Sequence, residues 1–428
     1  MGGPLTGVRV LDLSAMLSGP WAADLLGDQG ADVIKVEPPG AGDHVRALRN
    51  QTHGLASMFV NVNRSKRSLT LNLKHEEGVA ILRRLVASAD VLVQNFRPGV
   101  VERLGISYED LRAVNPRLVY LSISGFGESG PYADRRVYDP IVQALSGLTT
   151  VQAGSDTARP RLIRTVLPDK LTAMAGAQAI SAALVARART GEGQHVRLSM
   201  LDTVVSFLWA TDMNAYTFAD RPVEPERAAS FIDLIYETAD DYITVSTMKD
   251  GEWRAFCQAA DRPDLLADDR FDSAAKRDEN VDERLACIQE VLRERPAADW
   301  LRILPEHGVP CAPALRRHEL IDHPQIRASG TVVETEHPVA GRLRQARPAP
   351  RFSDTPVDPP RGAPLLGQHN DELLAELGLD RAAVDRLVAA GVVGEENRAQ
   401  GTAPGTVPGT EPPPAPARDA DAVMTRGA

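Results

Sequence analysis

Apolar residues recur along this chain with two alternating periods. Val8 to Leu13 is a short apolar run with β-branched residues and predicts a strand. Ser14 to Gly19 predicts a loop, and Pro20 suits the first turn of a helix, where its missing N–H costs nothing. That helix runs through Leu25 and Leu26 and stops near Gly30, and Asp32 to Val36 predicts a second strand. A strand–helix–strand unit implies a parallel pair joined by a crossover. The pattern then repeats. His75 to Ala87 carries Val79, Leu82, Leu85 and Val86 on one helical face, and Asp90 to Gln94 is a strand. Ser107 caps a helix start, Leu118 to Ser124 is a strand, and Tyr138 to Leu148 is helical. A long, small-residue helix spans Leu171 to Arg189 and ends near Gly191. A short strand, Val196 to Met200, leads into an apolar helix around Val204 to Trp209. The expected fold class is α/β with a mainly parallel sheet.

The pattern changes after about Pro222. Tyr242 to Val245 predicts a strand, followed by helices at Gly251–Ala260, Asp282–Arg293 and Ala297–Leu304. Residues 225–325 are therefore expected to form a smaller α+β domain after a large domain that begins with 1–224. The Pro-rich stretch Pro338 to Pro364 has little periodicity and is expected to run extended over a surface, before a helix pair at Asn370–Leu377 and Arg381–Ala390. From about Asn397, Gly, Pro, Ala and Thr dominate. Such a composition buries too little apolar surface to offset ordering, so 396–428 is expected to be a disordered tail.

The 428 residues are 43% hydrophobic and 25% charged, which suits a globular chain with a sizeable core. A net charge of −10 gives no global basic footprint for nucleic acid. Cys257, Cys287 and Cys311 form no close pair, which argues against a disulfide framework and a structural zinc site. Neither a signal peptide nor an apolar run long enough to span a bilayer is apparent, so the default expectation is a cytoplasmic protein with no membrane partner.

Several motifs fail. Gly125-Phe126-Gly127-Glu128-Ser129-Gly130 has dinucleotide-fingerprint spacing, but Pro131 and the polar run Asp134 to Arg136 follow where a helix is required. There is no Walker A sequence and no GxSxG elbow, and the nine histidines form no HExxH. His75 and His195 read as surface or capping residues, and no metal site is expected.

Three constellations remain. Asn63-Arg64-Ser65-Lys66-Arg67-Ser68, with Lys74, Asn95, Arg97 and Arg103, is either a solvated basic face or a surface for the phosphates of a nucleotide-like ligand. Arg136-Val137-Tyr138-Asp139 opens a helix, so Asp139 is either helix-start chemistry or an acid or base. Asp169 follows Pro168 at the mouth of the long helix, where the macrodipole favours an ionised carboxylate. By itself it is either a cap or a nucleophile.

The chain resembles the class III CoA-transferases, a family that includes formyl-CoA transferase, carnitine CoA-transferase and α-methylacyl-CoA racemase. The resemblance covers about 5–380. It rests on Gly7-Val8-Arg9-Val10-Leu11-Asp12-Leu13, Gly19-Pro20, Gly30 to Glu37, Gly42-Asp43 with Arg46, Lys66 to Leu73, Asn95 to Gly99, Gly105, Asn115-Pro116, Gly125 to Gly127, Gly191 and Gly193 to Val196, in order and spacing. It implies a Rossmann-like large domain built from both ends of the chain, with 326–395 returning to it, a smaller inserted domain, and a homodimer of two interlocked chains. The family's nucleophilic aspartate falls on Asp169. Its CoA site falls on Leu17, Ser18, Leu71, Asn72, Leu73, Lys74, Asn95, Phe96, Arg97, Arg103, Arg136, Val137, Tyr138 and Asp139.

The expected function is transfer of CoA from an acyl-CoA donor to a carboxylic acid through an aspartyl mixed anhydride. CoA and acyl-CoA are substrates, and no permanently bound cofactor is implied. The alternatives are an acyl-CoA racemase or epimerase and a non-catalytic CoA-binding relative. Three departures bear on the choice. Tyr138 stands where the racemases carry a histidine, which ranks transferase above racemase. Ser246 to Gly251 replaces the glycine run of formyl-CoA transferase, which leaves oxalate and formate specificity open. Leu17 and Pro38 replace polar or basic CoA contacts.

Overall fold

A computed structural model describes residues 2–223 and 234–395. The expected tail at 396–428 and the boundary at 224 and 225 lie outside the described residues.

Six strands form one parallel sheet: β1 (Arg9–Asp12), β2 (Asp32–Glu37), β3 (Arg67–Thr70), β4 (Val91–Gln94), β5 (Val119–Ser124) and β6 (Gln194–Ser199). Their spatial order is β3-β2-β1-β4-β5-β6. The register runs Arg9↔Asp32 to Asp12↔Lys35 on one side of β1 and Val10↔Val91 to Asp12↔Val93 on the other. The order reverses between β1 and β4, and in open α/β sheets ligands bind outside the carboxyl ends of the strands at such a switch point.

Successive side chains of a strand point to opposite faces. Leu11, Ile34, Leu69, Leu92 and Tyr120 meet Leu82 and Leu85 on one side. Val10, Val33, Val91, Val119 and Leu121 meet Leu26, Ile180 and Val204 on the other. The first face is completed by the C-terminal helices Asn370–Glu376 and Arg381–Ala389 through Leu373, Leu374, Val384 and Leu387.

The helix Leu167–Thr190 lies across the second face. A Cβ on Gly176 would sit 3.1 Å from Leu121 and 3.4 Å from Ala22, so helix and sheet approach closely there. By length and composition this helix is apolar enough to cross a bilayer, which corrects the expectation that no such run exists. Its apolar character is that of a core helix, because Ala173, Ala177, Ile180 and Ala183 are buried in the fold.

Other differences have local causes. The helix begins at Leu167, not Leu171, because Pro168 fits the first turn. The predicted helix Tyr138 to Leu148 is two helices, Asp139–Leu145 and Leu148–Ala153, broken at Gly147 with φ 86°. β3 escaped the hydrophobic pattern because Leu69 is its sole large aliphatic residue; Arg67 within it is buried against Asp32, Glu372 and Glu376. The Pro-rich stretch is not wholly irregular: a hairpin pairs Val332–His337 with Gly341–Ala346.

A second sheet is antiparallel. Ile235–Glu237, Tyr242–Val245 and Cys311–Pro313 pair with Tyr242–Val245 in the centre. Helices Asp250–Ala259, Val281–Leu292 and Ala297–Glu306 pack around it on a separate core of Trp253, Phe256, Phe271 and Trp300.

Candidate active site

Asp169 is the third residue of the long helix, so it is not the cap; that position belongs to Val166, whose side chain cannot cap. The backbone N–H of Asp169 donates to Asp139 Oδ2 at 3.2 Å. Asp139 is 4% exposed at the start of its own helix, and Gln143 Nε2 donates to its Oδ1 at 2.7 Å. Gln143 also accepts from the Ile163 N–H at 2.9 Å and donates to the Thr165 carbonyl at 3.2 Å. Asp139 and Gln143 thus brace residues 163–169 from behind. Both Asp139 oxygens are engaged, so this residue reaches the site through Asp169.

Burial, and then the nearby negative charge of Asp139, push the Asp169 carboxyl up to about 6; the hydroxyl and N–H of Ser18 oppose this by favouring the charged form. Burial likewise raises Asp139, against the donors Gln143 and the Asp169 N–H. Two carboxyl groups with raised pKa values beside one helix mouth have the character of a chemical site more than of a surface cap.

Ser18 is buried in the first turn of helix Ser18–Gly27, directly after Leu17, its N-cap. The segment from Leu13 to Ser18 connects Asp169 to a cavity at the carboxyl ends of the strands. This cavity, of about 520 Å³, is lined by Leu13, Ser14 and Ala15 after β1, Glu37 and Pro38 at the end of β2, Leu71, Asn72, Leu73 and Lys74 after β3, and Phe96, Arg103 and Leu104 beyond β4. It continues past Leu73, Lys74 and Arg103 into a basic groove with His75, Arg83 and Arg84. Arg83 is already engaged with the Gly105 carbonyl at 2.9 Å, and Arg84 with the Leu377 carbonyl.

Six of the residues singled out from the sequence therefore share one cavity: Leu71, Asn72, Leu73, Lys74, Phe96 and Arg103. The rest divide. Arg97 is exposed and faces a neighbouring groove with Tyr108, Tyr120 and His195. Asn95 spends its amide on Ala15, accepting from the N–H at 2.9 Å and donating to the carbonyl at 2.8 Å, so it pins the loop. Val137 packs where a Cβ on Gly125 would lie, 2.4 Å from Cγ1. Arg136 and Tyr138 are exposed, Tyr138 at 68%.

The run Asn63 to Ser68 is neither a solvated face nor a phosphate surface. All six residues are buried. Arg64 forks onto Asp28 at 2.9 and 2.6 Å, and Lys66 meets Asp12 at 2.7 Å. These carboxylates lie on the neighbouring strands and helix, so the side chains turn inward.

That interior network was not anticipated. Lys66 Nζ donates to Asp12, the Pro20 carbonyl (2.7 Å) and Asn63 Oδ1 (2.8 Å). Lys35 donates to the Ser14 carbonyl at 3.0 Å and lies 3.1 Å from Asp43. Asp43 accepts from the Met16 N–H at 3.1 Å, and Asp12 from the Ser14 N–H at 3.0 Å. Burial works to raise the Asp12 pKa, but Lys35 and Lys66 outweigh it and hold it at about 2. The network fixes the Ser14–Ser18 loop from below. Its signal in the sequence was a charge inside each of two strands, Asp12 and Lys35.

His75 caps its helix by accepting from the Glu77 N–H. His195 is not simply a surface residue. Its Nε2 lies 2.8 Å from Ser122 Oγ, and it stacks on Tyr108; burial and then Arg197 hold its pKa down at about 4, so it is neutral. Among the described residues no cluster of His, Cys, Asp and Glu is arranged to hold a metal.

Comparison with known proteins adds to this geometry. Residues 5–370 match the pattern of CoA-transferase family III. The human succinyl-CoA:glutarate CoA-transferase is 34% identical over 91% of this chain and 90% of its own. The acetyl-CoA:oxalate CoA-transferase of Acetobacter aceti is 35% identical over 89% and 97%. The crystal structure of a CAIB/BAIF family protein from Brucella suis superposes with a TM-score of 0.76 at 33% identity, covering 88% of this chain and all of the other.

Proposed function

The chain belongs to CoA-transferase family III, and from that premise we propose that it moves CoA between two carboxylic acids with Asp169 as the covalent nucleophile. It is a class III CoA-transferase; the intermediates, the residues and the acids are the proposal.

The observation that carries it is the placement of Asp169. Its carboxylate is partly desolvated, held at the start of a rigid helix, and joined by Leu13–Ser18 to a cavity at the sheet's switch point. Partial desolvation with a pKa near working pH keeps the carboxylate ionised yet reactive. In the first step an Asp169 oxygen attacks the acyl carbon of the donor thioester, the C–S bond breaks, and the thiolate leaves. The product is a mixed anhydride on Asp169. The thiolate then attacks the Asp169 carbonyl carbon and expels the donor acid, leaving an aspartyl thioester. The acceptor carboxylate attacks that carbon and re-forms an anhydride. The thiolate finally takes the acceptor acyl group and frees Asp169. Each step exchanges one bond for one, so no outside oxidant or reductant is needed.

CoA must stay bound while its thiolate is free. The apolar cavity under Leu71, Leu73 and Phe96 suits the non-ionic part of the molecule, and Lys74 and Arg103 at its mouth suit phosphate oxygens. In this reading Arg97 closes over a bound CoA from the neighbouring groove, and Arg136 to Tyr138 contact it from the surface.

Relatives act on glutarate and on oxalate. We infer a dicarboxylic acid as acceptor. A racemase needs a second acid or base opposite the aspartate, and Tyr138 stands where the racemases carry a histidine, which favours the transferase. We also assign 225–325 as an inserted small domain, two interlocked chains as the working unit, and the cytoplasm as its location.

The decisive test is mass spectrometry of the protein mixed with succinyl-CoA or acetyl-CoA and quenched with hydroxylamine or borohydride. A trapped adduct is expected on the Asp169 peptide. An adduct elsewhere, or turnover surviving in Asp169→Asn, removes the assignment.

A further inference from the structure

The antiparallel-sheet region contains a cavity that the chemistry above does not use. It has about 80 Å³ of space, room for a ligand the size of acetate, and its walls include Tyr236, Ser246, Thr247 and Arg284. Tyr236 is 2% exposed and Arg284 7% exposed. Neither Tyr236 Oη nor Arg284 Nε has a hydrogen-bond partner. The neighbouring buried arginine, Arg277, is ion-paired to Asp250 at 2.5 Å, whereas among the described residues no carboxylate lies within ion-pair distance of Arg284. Asp278, on the rim, is exposed to solvent.

Burial works against the charge on Arg284, and Asp278, exposed beside the cavity, offsets this only in part, so the guanidinium lacks a hydrogen-bonded counter-ion. Each buried donor left unpaired adds to that cost. Water in the cavity would accept from both donors but bring no negative charge. A carboxylate brings the charge and two oxygens in one plane, which match a guanidinium edge and a phenol together. The Tyr236 hydroxyl is a donor at neutral pH, since burial pushes it up to about 12.

We propose that this cavity is a carboxylate-binding site for the end of a small organic acid, with Arg284 and Tyr236 as its donors and Ser246 and Thr247 in its wall. All the lining residues belong to the antiparallel-sheet region, Ser246 and Thr247 within the stretch that stands at the glycine run of formyl-CoA transferase, and binding there does not require the chemistry assigned to Asp169.

The test uses full-length Asp169→Asn, in which turnover cannot consume the ligand. Acetate binding is measured by calorimetry and by saturation-transfer NMR, against sodium chloride at equal ionic strength. Binding is expected, with loss of at least about tenfold in affinity in Arg284→Met and in Tyr236→Phe. Arg284→Lys should keep part of it, since the charge remains while the planar fork is lost. Circular dichroism checks folding; if Arg284→Met does not fold, Tyr236→Phe decides, because it removes one hydroxyl at constant shape. The proposal falls if acetate does not bind, or binds equally well in the folded variants, in which case the cavity holds only water.

Discussion

Asp169 sets the pH dependence of the proposed reaction. Its carboxyl is held up at about 6, by burial first and Asp139 second. Only the ionised form attacks a thioester, so kcat/KM should rise with pH, with a midpoint near 6, and then level off. Asp139→Asn removes a negative charge and should move the midpoint to lower pH; an unmoved midpoint would assign the limb to another group. The same shift has a stability sign. A folded pKa above the usual 3.8 means that the fold disfavours the charged form; the penalty is present above the folded value and vanishes below the unfolded one. Asp169→Asn should therefore raise Tm at about pH 8 and not at about pH 4. The full shift corresponds to about 3 kcal/mol, and partial solvent screening reduces it to about 1–2 kcal/mol. At this scale the residue types were legible, but their surroundings were not. Arg64, Lys66 and Arg67 read as a basic surface because charge is local in sequence, whereas their partners Asp28, Asp12 and Asp32 arrive only when the strands pair.

The Leu13–Ser18 segment is the element that joins Asp169 to the cavity, and two features hold it. One is contact: a Cβ at Gly19 would lie 2.3 Å from the Ser14 Cβ, so helix and loop meet where only glycine fits. Gly19→Ala should displace the loop and raise the KM for acyl-CoA, about tenfold or more, in steady-state assays. The other is the buried network. Lys66→Met leaves Asp12 with Lys35 alone, at 3.7 Å. Removing one partner of a buried pair costs about 3–5 kcal/mol, to be read from urea unfolding. The periodic helices were legible as elements, down to Ser107, whose capping box with Asp110 is present. β3 and the Val332–His337 hairpin were not, because a strand buried by ion pairs or carrying alternating charges has no apolar signature.

Across the whole molecule, the C-terminal helices close the first face of the sheet. Leu373 and Leu374 are fully buried beside strand residues Leu11, Ile34 and Leu69, although most of their segment lies beyond the stretch that matches the family pattern. Leu374→Ala should cost about 2–5 kcal/mol in chemical denaturation; a smaller effect would show that this cover is dispensable. The alternation of strands and helices was enough to expect an α/β fold with a parallel sheet, since hydrophobic period is a local property. It also placed Asp169 at the mouth of an apolar helix, because a proline and a small-residue run are local too. The strand order β3-β2-β1-β4-β5-β6, the switch point it creates, the inward turn of the basic run and the empty pairing position at Arg284 were decided only by the tertiary structure. Each depends on which distant groups come to share a low-dielectric interior, and distance along a chain carries no record of that.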